Sequence, residues 1–341
     1  MTDEPMRVRG RARLLRLSAV TGASGAAAVL LGACSRRSPS TLDPHGSAAA
    51  RINGVWWLLF ALAVAVFVVV GALMLVGALR RPRAGGDGPS DMAWIVAGGV
   101  VVPTVILLVL AVDTVRTTRA LRASARSGVE HIEVVGHEWW WEVRYPHEGV
   151  LTADEVHIPV GRPIEVGLTT SDVIHSFWVP QLAQKVDTIP GQRNTLRFTA
   201  TRAGTYRGEC LQYCGVQHAN MNFVVVAQPP ADFSTWAADN AQPPPTPTDA
   251  TAAEGEQVFT NTPCAGCHTI RGTSALGTKG PDLTHFGSRL TIGSDTVPNT
   301  PDNLGTWIID SQSLKPGNLM PPIPLSGEEL RAVVAYLEGQ K

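Results

Sequence analysis

Two stretches of this 341-residue chain carry no charge at all, residues 53–79 and residues 92–112. Wound as α-helix, each is long enough to cross about 30 Å of hydrocarbon. In that medium a segment must satisfy its own backbone hydrogen bonds, so a helix is the form open to both. Pro103, inside the second run, is tolerable in a membrane helix. Neither run contains a histidine, so this chain cannot ligate a haem within the membrane through His. Any redox chemistry at that depth belongs to a partner.

The N-terminus reads as an export signal over residues 1–33. Arg7, Arg9, Arg11, Arg13 and Arg16 form a basic start, and a small apolar stretch follows. It ends in Leu31-Gly32-Ala33-Cys34, which resembles a bacterial lipoprotein cleavage box. The expectation is a lipidated Cys34 at a mature N-terminus; the alternative is an uncleaved, shortish first membrane helix. Residues 34–128 then form a two-helix transmembrane hairpin. Arg80, Arg81 and Arg83 lie in its loop, and Arg116, Arg119, Arg122 and Arg126 lie beyond its second helix. Counting positive charges therefore does not orient it. The export signal does: with Cys34 outside, the loop is cytoplasmic and everything from about residue 116 onward is outside.

The near-neutral net charge of −1 hides a division. Residues 1–128 hold fifteen Lys/Arg against six Asp/Glu, and residues 129–341 hold thirteen against twenty-three. An acidic outer part speaks against nucleic acid as a partner, which needs a basic surface. It suits a basic soluble protein, or is a well-solvated surface and no more.

Residues 129–228 alternate in the manner of short strands. Ile164, Val166 and Leu168 alternate with Glu165 and Gly167, and Leu196 and Phe198 flank Arg197. Pro and Gly punctuate the runs, so a sandwich or barrel is expected. The segment Cys210-Leu211-Gln212-Tyr213-Cys214-Gly215-Val216-Gln217-His218-Ala219-Asn220-Met221 carries the pattern C-x-x-x-C-x-x-x-H-x-x-M. Thiolate, imidazole and thioether on one loop form a soft ligand set suited to copper. Two thiolates can bridge two metals, each needing its own His, and His175 in Asp172-Val173-Ile174-His175-Ser176-Phe177-Trp178 is the second. The competing reading is a Cys210–Cys214 disulfide. Only two Met follow residue 92, Met221 and Met320, and both fall where a ligand is wanted.

These residues carry a specific resemblance. Two helices followed by residues 136–141, 172–178, 185–191 and 210–221 make residues 51–228 similar to subunit II of haem-copper oxidases. The resemblance implies a cupredoxin-like Greek-key domain with the binuclear copper centre CuA. It implies Cys210 and Cys214 as bridging ligands, His175 and His218 as terminal ones, Met221 as a weak one, and the Gln212 carbonyl as the sixth. Gln212 stands where many relatives have an acidic residue that also binds magnesium at the subunit I interface. Copper is indifferent to that side chain; the magnesium role is not. The resemblance places Trp139, in the run Trp139-Trp140-Trp141, at the point where electrons enter; sheet packing is the alternative. It aligns Asp91 with an acidic residue at a proton-channel mouth; a helix N-cap is the bland role there.

Residues 229–249 read as a linker, with the Pro-rich stretch 241–249 semi-rigid and extended. Beyond it, Cys264-Ala265-Gly266-Cys267-His268 is the attachment motif of a c-type haem, with His268 as proximal ligand. A zinc site would need two more ligands nearby, and the only later histidine is His285. Met320, in Asn318-Leu319-Met320-Pro321-Pro322, is the candidate sixth ligand and His285 its rival. Ser326-Gly327-Glu328-Glu329 is a capping box, and the helix after it places Leu330, Val333, Val334 and Leu337 on one face. Residues 250–341 resemble an all-α class I cytochrome c domain. That likeness gives the Pro281 carbonyl the task of orienting His268.

Together the two halves resemble subunit II of a caa3-type cytochrome c oxidase. The implied function is electron transfer from haem c to CuA and on to subunit I. There haem A and a copper reduce oxygen to water and protons are pumped, so this chain belongs to an enzyme without holding its oxygen-reducing site. The implied partners are subunit I, subunit III and, as donor, a cytochrome bc1-type complex or a cytochrome c. The implied place is the bacterial cell membrane, multi-pass, with both soluble domains on the outer face. The rivals are a copper and haem subunit of a nitric oxide reductase and a stand-alone envelope electron carrier.

Overall fold

The computed structural model describes residues 39–80, 91–122 and 127–341. Every element named here belongs to the compact unit Ser40–Lys341. The expected signal peptide and Cys34 lie outside the described residues.

Helix α1 (Ser47–Leu79) contains the first uncharged run and starts earlier, taking in Arg51. The second run forms α2 (Asp91–Val96), a π-helical turn (Ala97–Val101) and α3 (Val102–Arg122) without a break. The π turn sits where Pro103 has no N–H to give back to the preceding turn. No residue in the apolar window of either span is buried in the rest of the protein. That is what lipid-facing helices require.

The region after them folds into two five-stranded sheets. One has the order β3 (Val150–Ala153), β2 (Trp140–Tyr145), β1 (Glu130–His137), β5 (Ile164–Thr170), β8 (Asn194–Phe198). The other runs β4 (Glu155–Pro159), β10 (Asn222–Gln228), β9 (Gly204–Cys210), β6 (His175–Trp178), β7 (Val186–Thr188). This is the expected cupredoxin-like sandwich. Trp141, Phe177 and Phe223 are buried between the sheets. Phe177 and Phe223 stack with ring centres 4.1 Å apart, and Trp141 meets Phe177 edge-on. A side chain at Gly208 would strike the Phe223 ring, so only glycine lets β9 lie this close.

The membrane hairpin is anchored at its outer end. Ser47 N–H donates to the Thr199 carbonyl at 2.9 Å, and Thr201 N–H donates to the His45 carbonyl at 2.8 Å. The end of α3 packs on β8 as well, so the start of α1 and the end of α3 lie on the side of the soluble domain.

The expected linker 229–249 is shorter than its composition suggested. Residues Pro230–Ala241 form a helix, α4, with Pro at its start. Phe233 is buried in the sandwich core, and Trp236 stacks on His157 with ring centres 4.1 Å apart. Only 242–249 bridge to the next helix. There α5 (Ala250–Asn261), the turn α6 (Cys264–Cys267), α7 (Pro301–Leu314) and α8 (Gly327–Glu338) build the helical domain. A two-stranded ribbon, β11 (Thr291–Ile292) with β12 (Val297–Pro298), is added to it. Both halves of the Ser326/Glu329 capping box are made. Helices α5 and α8 touch backbone to backbone: a Cβ on Gly255 would lie 2.0 Å from the Ala332 carbonyl oxygen.

Candidate copper and haem sites

The copper loop is held by strand pairing on both sides. Cys210 ends β9, Asn222 begins β10, and Cys210 N–H donates to the Met221 carbonyl at 3.0 Å to close the loop. The β6–β9 pairing sets Phe177 opposite Cys210, which brings His175, at the start of β6, up against the thiols. Ligand atoms of His175, Cys210 and Cys214 lie within 4.8 Å of one another, all three residues buried. Cys210 and Cys214 are free, their sulfurs 3.8 Å apart. Around them, the Gln212 carbonyl is 3.3 Å from Cys210 Sγ. His218 Nδ1 and Met221 Sδ each lie 3.8 Å from Cys214 Sγ.

One atom in this cluster is unaccounted for by the protein itself. His175 Nε2 is hydrogen-bonded to Asp172 Oδ1 at 2.7 Å, while its Nδ1 is buried without a partner. A buried nitrogen left bare is costly unless a ligand completes it. With Nε2 held by a carboxylate, Nδ1 is the metal-binding atom, in the usual arrangement of a metal-ligating His. The charges agree. Hydrogen bonding from Cys214 holds the Cys210 thiol down to about 3, against the burial that would raise it. The same contact pushes Cys214 up. Burial works against charge on His175, but the Cys210 sulfur and Asp172 outweigh it and its pKa is raised. A soft divalent or monovalent copper pair fits this donor set.

The haem motif is similarly prepared. His268 Nδ1 donates to the Pro281 carbonyl at 2.8 Å. Burial lowers the His268 pKa, with the Pro281 bond opposing it, so the ring is neutral and Nε2 keeps its lone pair. A Cβ on Gly280 would meet His268 Cε1 at 2.5 Å, and one on Gly277 would meet Cys267 N at 2.5 Å. Both glycines clear space around the motif, and Cys264 and Cys267 are free to form thioethers. Met320 is half-buried against the helical core. Its N–H donates to Asn318 Oδ1 at 2.8 Å, and its carbonyl accepts from Ser311 Oγ at 2.9 Å. His285, the rival ligand, is turned to the linker, its Nε2 donating to the Gln242 carbonyl at 2.9 Å.

Trp139 is buried, with 8% of its surface exposed. Its indole Nε1 donates to the Cys214 carbonyl at 2.8 Å. Its own carbonyl accepts from Ser294 Oγ and from Lys315 Nζ, both at 2.8 Å and both from the helical domain. Trp139 therefore lies between the copper loop and the second domain, not on an open face. Ser294 and Lys315 carried no sequence signal, since neither sits in a motif. Asp154 joins them: Ser294 Oγ lies 3.1 Å from its Oδ2, and burial pushes its carboxyl up to about 6 against the pull of Lys315. Asp91 is the first residue of α2, and its side chain lies outside the described residues.

The model of the cytochrome c oxidase subunit II periplasmic domain matches residues 149–228, and that of cytochrome c matches residues 252–341. Cytochrome c oxidase subunit 2 of Alkalihalophilus pseudofirmus is 34% identical over 323 residues, 92% of this chain and 94% of the relative. The chain belongs to the cytochrome c oxidase subunit 2 family. The subunit 2 of a Bacillus species is 33% identical over 261 residues, 71% of this chain and 72% of the relative. The crystal structure of the periplasmic domain of subunit II of cytochrome oxidase from Bradyrhizobium japonicum is 28% identical. It covers 35% of this chain and 95% of its own, with a TM-score of 0.33. As a subunit 2, the chain is an electron-transfer subunit of a terminal oxidase, an oxidoreductase complex of which subunit I is its partner. Its cofactors are a CuA copper centre and a haem c. It is a membrane protein whose copper domain is of the periplasmic, outer-face type.

Proposed function

We propose that this subunit of a caa3-type oxidase takes electrons into its haem domain, passes them to its copper domain, and delivers them to the oxygen-reducing subunit. Cys210, Cys214, His175, His218, Met221 and the Gln212 carbonyl would hold the copper pair. Cys264 and Cys267 would attach the haem, and His268 and Met320 would hold its iron. When bound, the haem and the copper pair each accept and release one electron at a time. The protein's part is to keep the ligands rigid. Asp172 fixes the His175 ring, the Pro281 carbonyl fixes His268, and the β9–β10 closure fixes the thiols. Rigid ligands change little between redox states, which favours speed. Joining donor and acceptor in one chain keeps their effective concentration high.

The wider assembly follows from the same reading. Subunit I carries haem A and copper, subunit III accompanies it, and a cytochrome bc1-type complex or a cytochrome c supplies electrons. The chain sits in the bacterial cell membrane with both soluble domains outside. Cys34 is its lipid anchor, Asp91 lies at a proton-channel mouth, and Trp139 lies on the route into copper.

The observation that carries this reading is the buried His175 Nδ1, without a hydrogen-bond partner, beside two thiols not joined in a disulfide. Cys210→Ser tests it, with copper and haem quantified on the purified chain. The expected result is loss of the copper pair with haem retained. Two coppers per chain in the variant would show the ligand assignment to be wrong.

A further inference from the structure

Four hydrogen bonds of the same length join the two candidate centres. Met320 N–H donates to Asn318 Oδ1 at 2.8 Å, and Asn318 Nδ2 donates to the Lys315 carbonyl at 2.8 Å. Lys315 Nζ donates to the Trp139 carbonyl at 2.8 Å, and Trp139 Nε1 donates to the Cys214 carbonyl at 2.8 Å. We propose that Lys315 is a positioning residue for electron passage within this chain, clamping the Met320 loop of the haem domain onto Trp139 above the copper loop. This rests on the assignment of the two centres given above.

A lysine in that place needs a reason. Lys315 is 3% exposed, and a buried ammonium is costly unless it is paired and hydrogen-bonded. Here two carbonyls receive it, Trp139 and Gly293, the second at 3.0 Å, and the charge of Asp154 favours it. Ser294 supplies a second donor to the same Trp139 carbonyl. The haem domain thus grips one backbone oxygen with two groups. That oxygen belongs to the residue whose indole holds the Cys214 carbonyl. Other bonds cross the seam as well: Leu290 N–H donates to the buried Glu155 Oε2 at 2.9 Å, and Asn222 N–H donates to the Ser294 carbonyl at 3.3 Å. Arg207 Nε meets Asp295 at 3.1 Å with the arginine side chain 43% exposed. Gln217 Nε2 donates to the Pro316 carbonyl. Because the seam buries Trp139, an external protein donor cannot reach it and must deliver to the haem domain. The step so positioned moves one electron, with haem iron oxidised by one and the copper pair reduced by one; no bond forms or breaks.

The test uses the purified oxidase complex with the full chain. Lys315→Met keeps the buried stem and removes the donor. Internal electron equilibration between haem and copper, followed optically after photoreduction, is expected to slow by about tenfold or more, as a misplacement of about 1 Å allows. Protease cleavage of the linker 242–249 is expected to quicken in the same variant, because the seam opens more often. Ser294→Ala removes the second donor and is expected to slow the same step to a smaller degree. Arg207→Ala breaks only the rim ion pair and is expected to leave the rate within about twofold. An unchanged internal rate in Lys315→Met, with haem and copper spectra intact, overturns the proposal. If that variant does not assemble, an unchanged rate in Ser294→Ala overturns it instead. Equal slowing in Arg207→Ala overturns it too, since docking in general would then set the rate. Absence of copper or haem from the parent chain would overturn the assignment of the centres along with it.

Discussion

At Glu130, burial and charge act against ionisation together. The residue is 2% exposed at the start of β1. Burial first, and then the nearby Glu148 charge, raise its pKa from 4.5 to about 7, although Arg162 Nη1 lies 3.0 Å away and opposes them. The folded chain therefore holds a proton that the unfolded chain has released. Stability from this group is fully present below 4.5 and is lost as the pH rises through about 7. Glu130→Gln is expected to raise the unfolding midpoint of the solubilised chain near pH 8 and to leave it almost unchanged near pH 4. Equal midpoint shifts at both would contradict this. At this scale much of the site was legible. Cys210, Cys214, His218 and Met221 share one short loop, and Cys264, Cys267 and His268 form a contiguous motif, so spacing alone exposed their chemistry. Asp172 lay in the same short segment as His175, but its grip on Nε2 could not be read from order along the chain. Ser311 and Asn318, which hold Met320, are ordinary polar residues whose role appears only once α7 and the loop after it fold together.

Among the elements, the two membrane spans and the capping box before α8 were plain from hydropathy and local chemistry. Helix α4 was not. Its Pro230 start and the spacing of Phe233, Trp236, Ala237 and Asn240 fit a helix. The Pro-rich segment that follows drew the whole region into a linker. What fixes α4 is tertiary: Phe233 enters the sandwich core and Trp236 covers His157. The α5–α8 crossing is likewise set by one absent side chain. Gly255→Ala would push a methyl to 2.0 Å from the Ala332 carbonyl oxygen, which is backbone and cannot turn aside. The expected cost is about 1–3 kcal/mol in denaturant unfolding of the haem domain. A change below about 0.5 kcal/mol would mean that the helices part without strain.

Across the whole molecule, what order along the chain conceals is the seam. Lys315 and Trp139 are 176 residues apart, and nothing in either neighbourhood anticipates their contact. The fold brings them together because β11–β12 and the loop after α7 lie over the copper loop. The acidic outer part, visible from composition, then falls on a structured domain pair. A two-metal site beside a haem-binding domain is what makes this arrangement a relay. Copper should therefore be counted against haem in the purified full-length chain, with electron paramagnetic resonance on the same sample. Two coppers per haem, with one unpaired electron shared by both nuclei, is the expected result. A Cys210–Cys214 disulfide with no copper bound would contradict it and leave a membrane-tethered cytochrome.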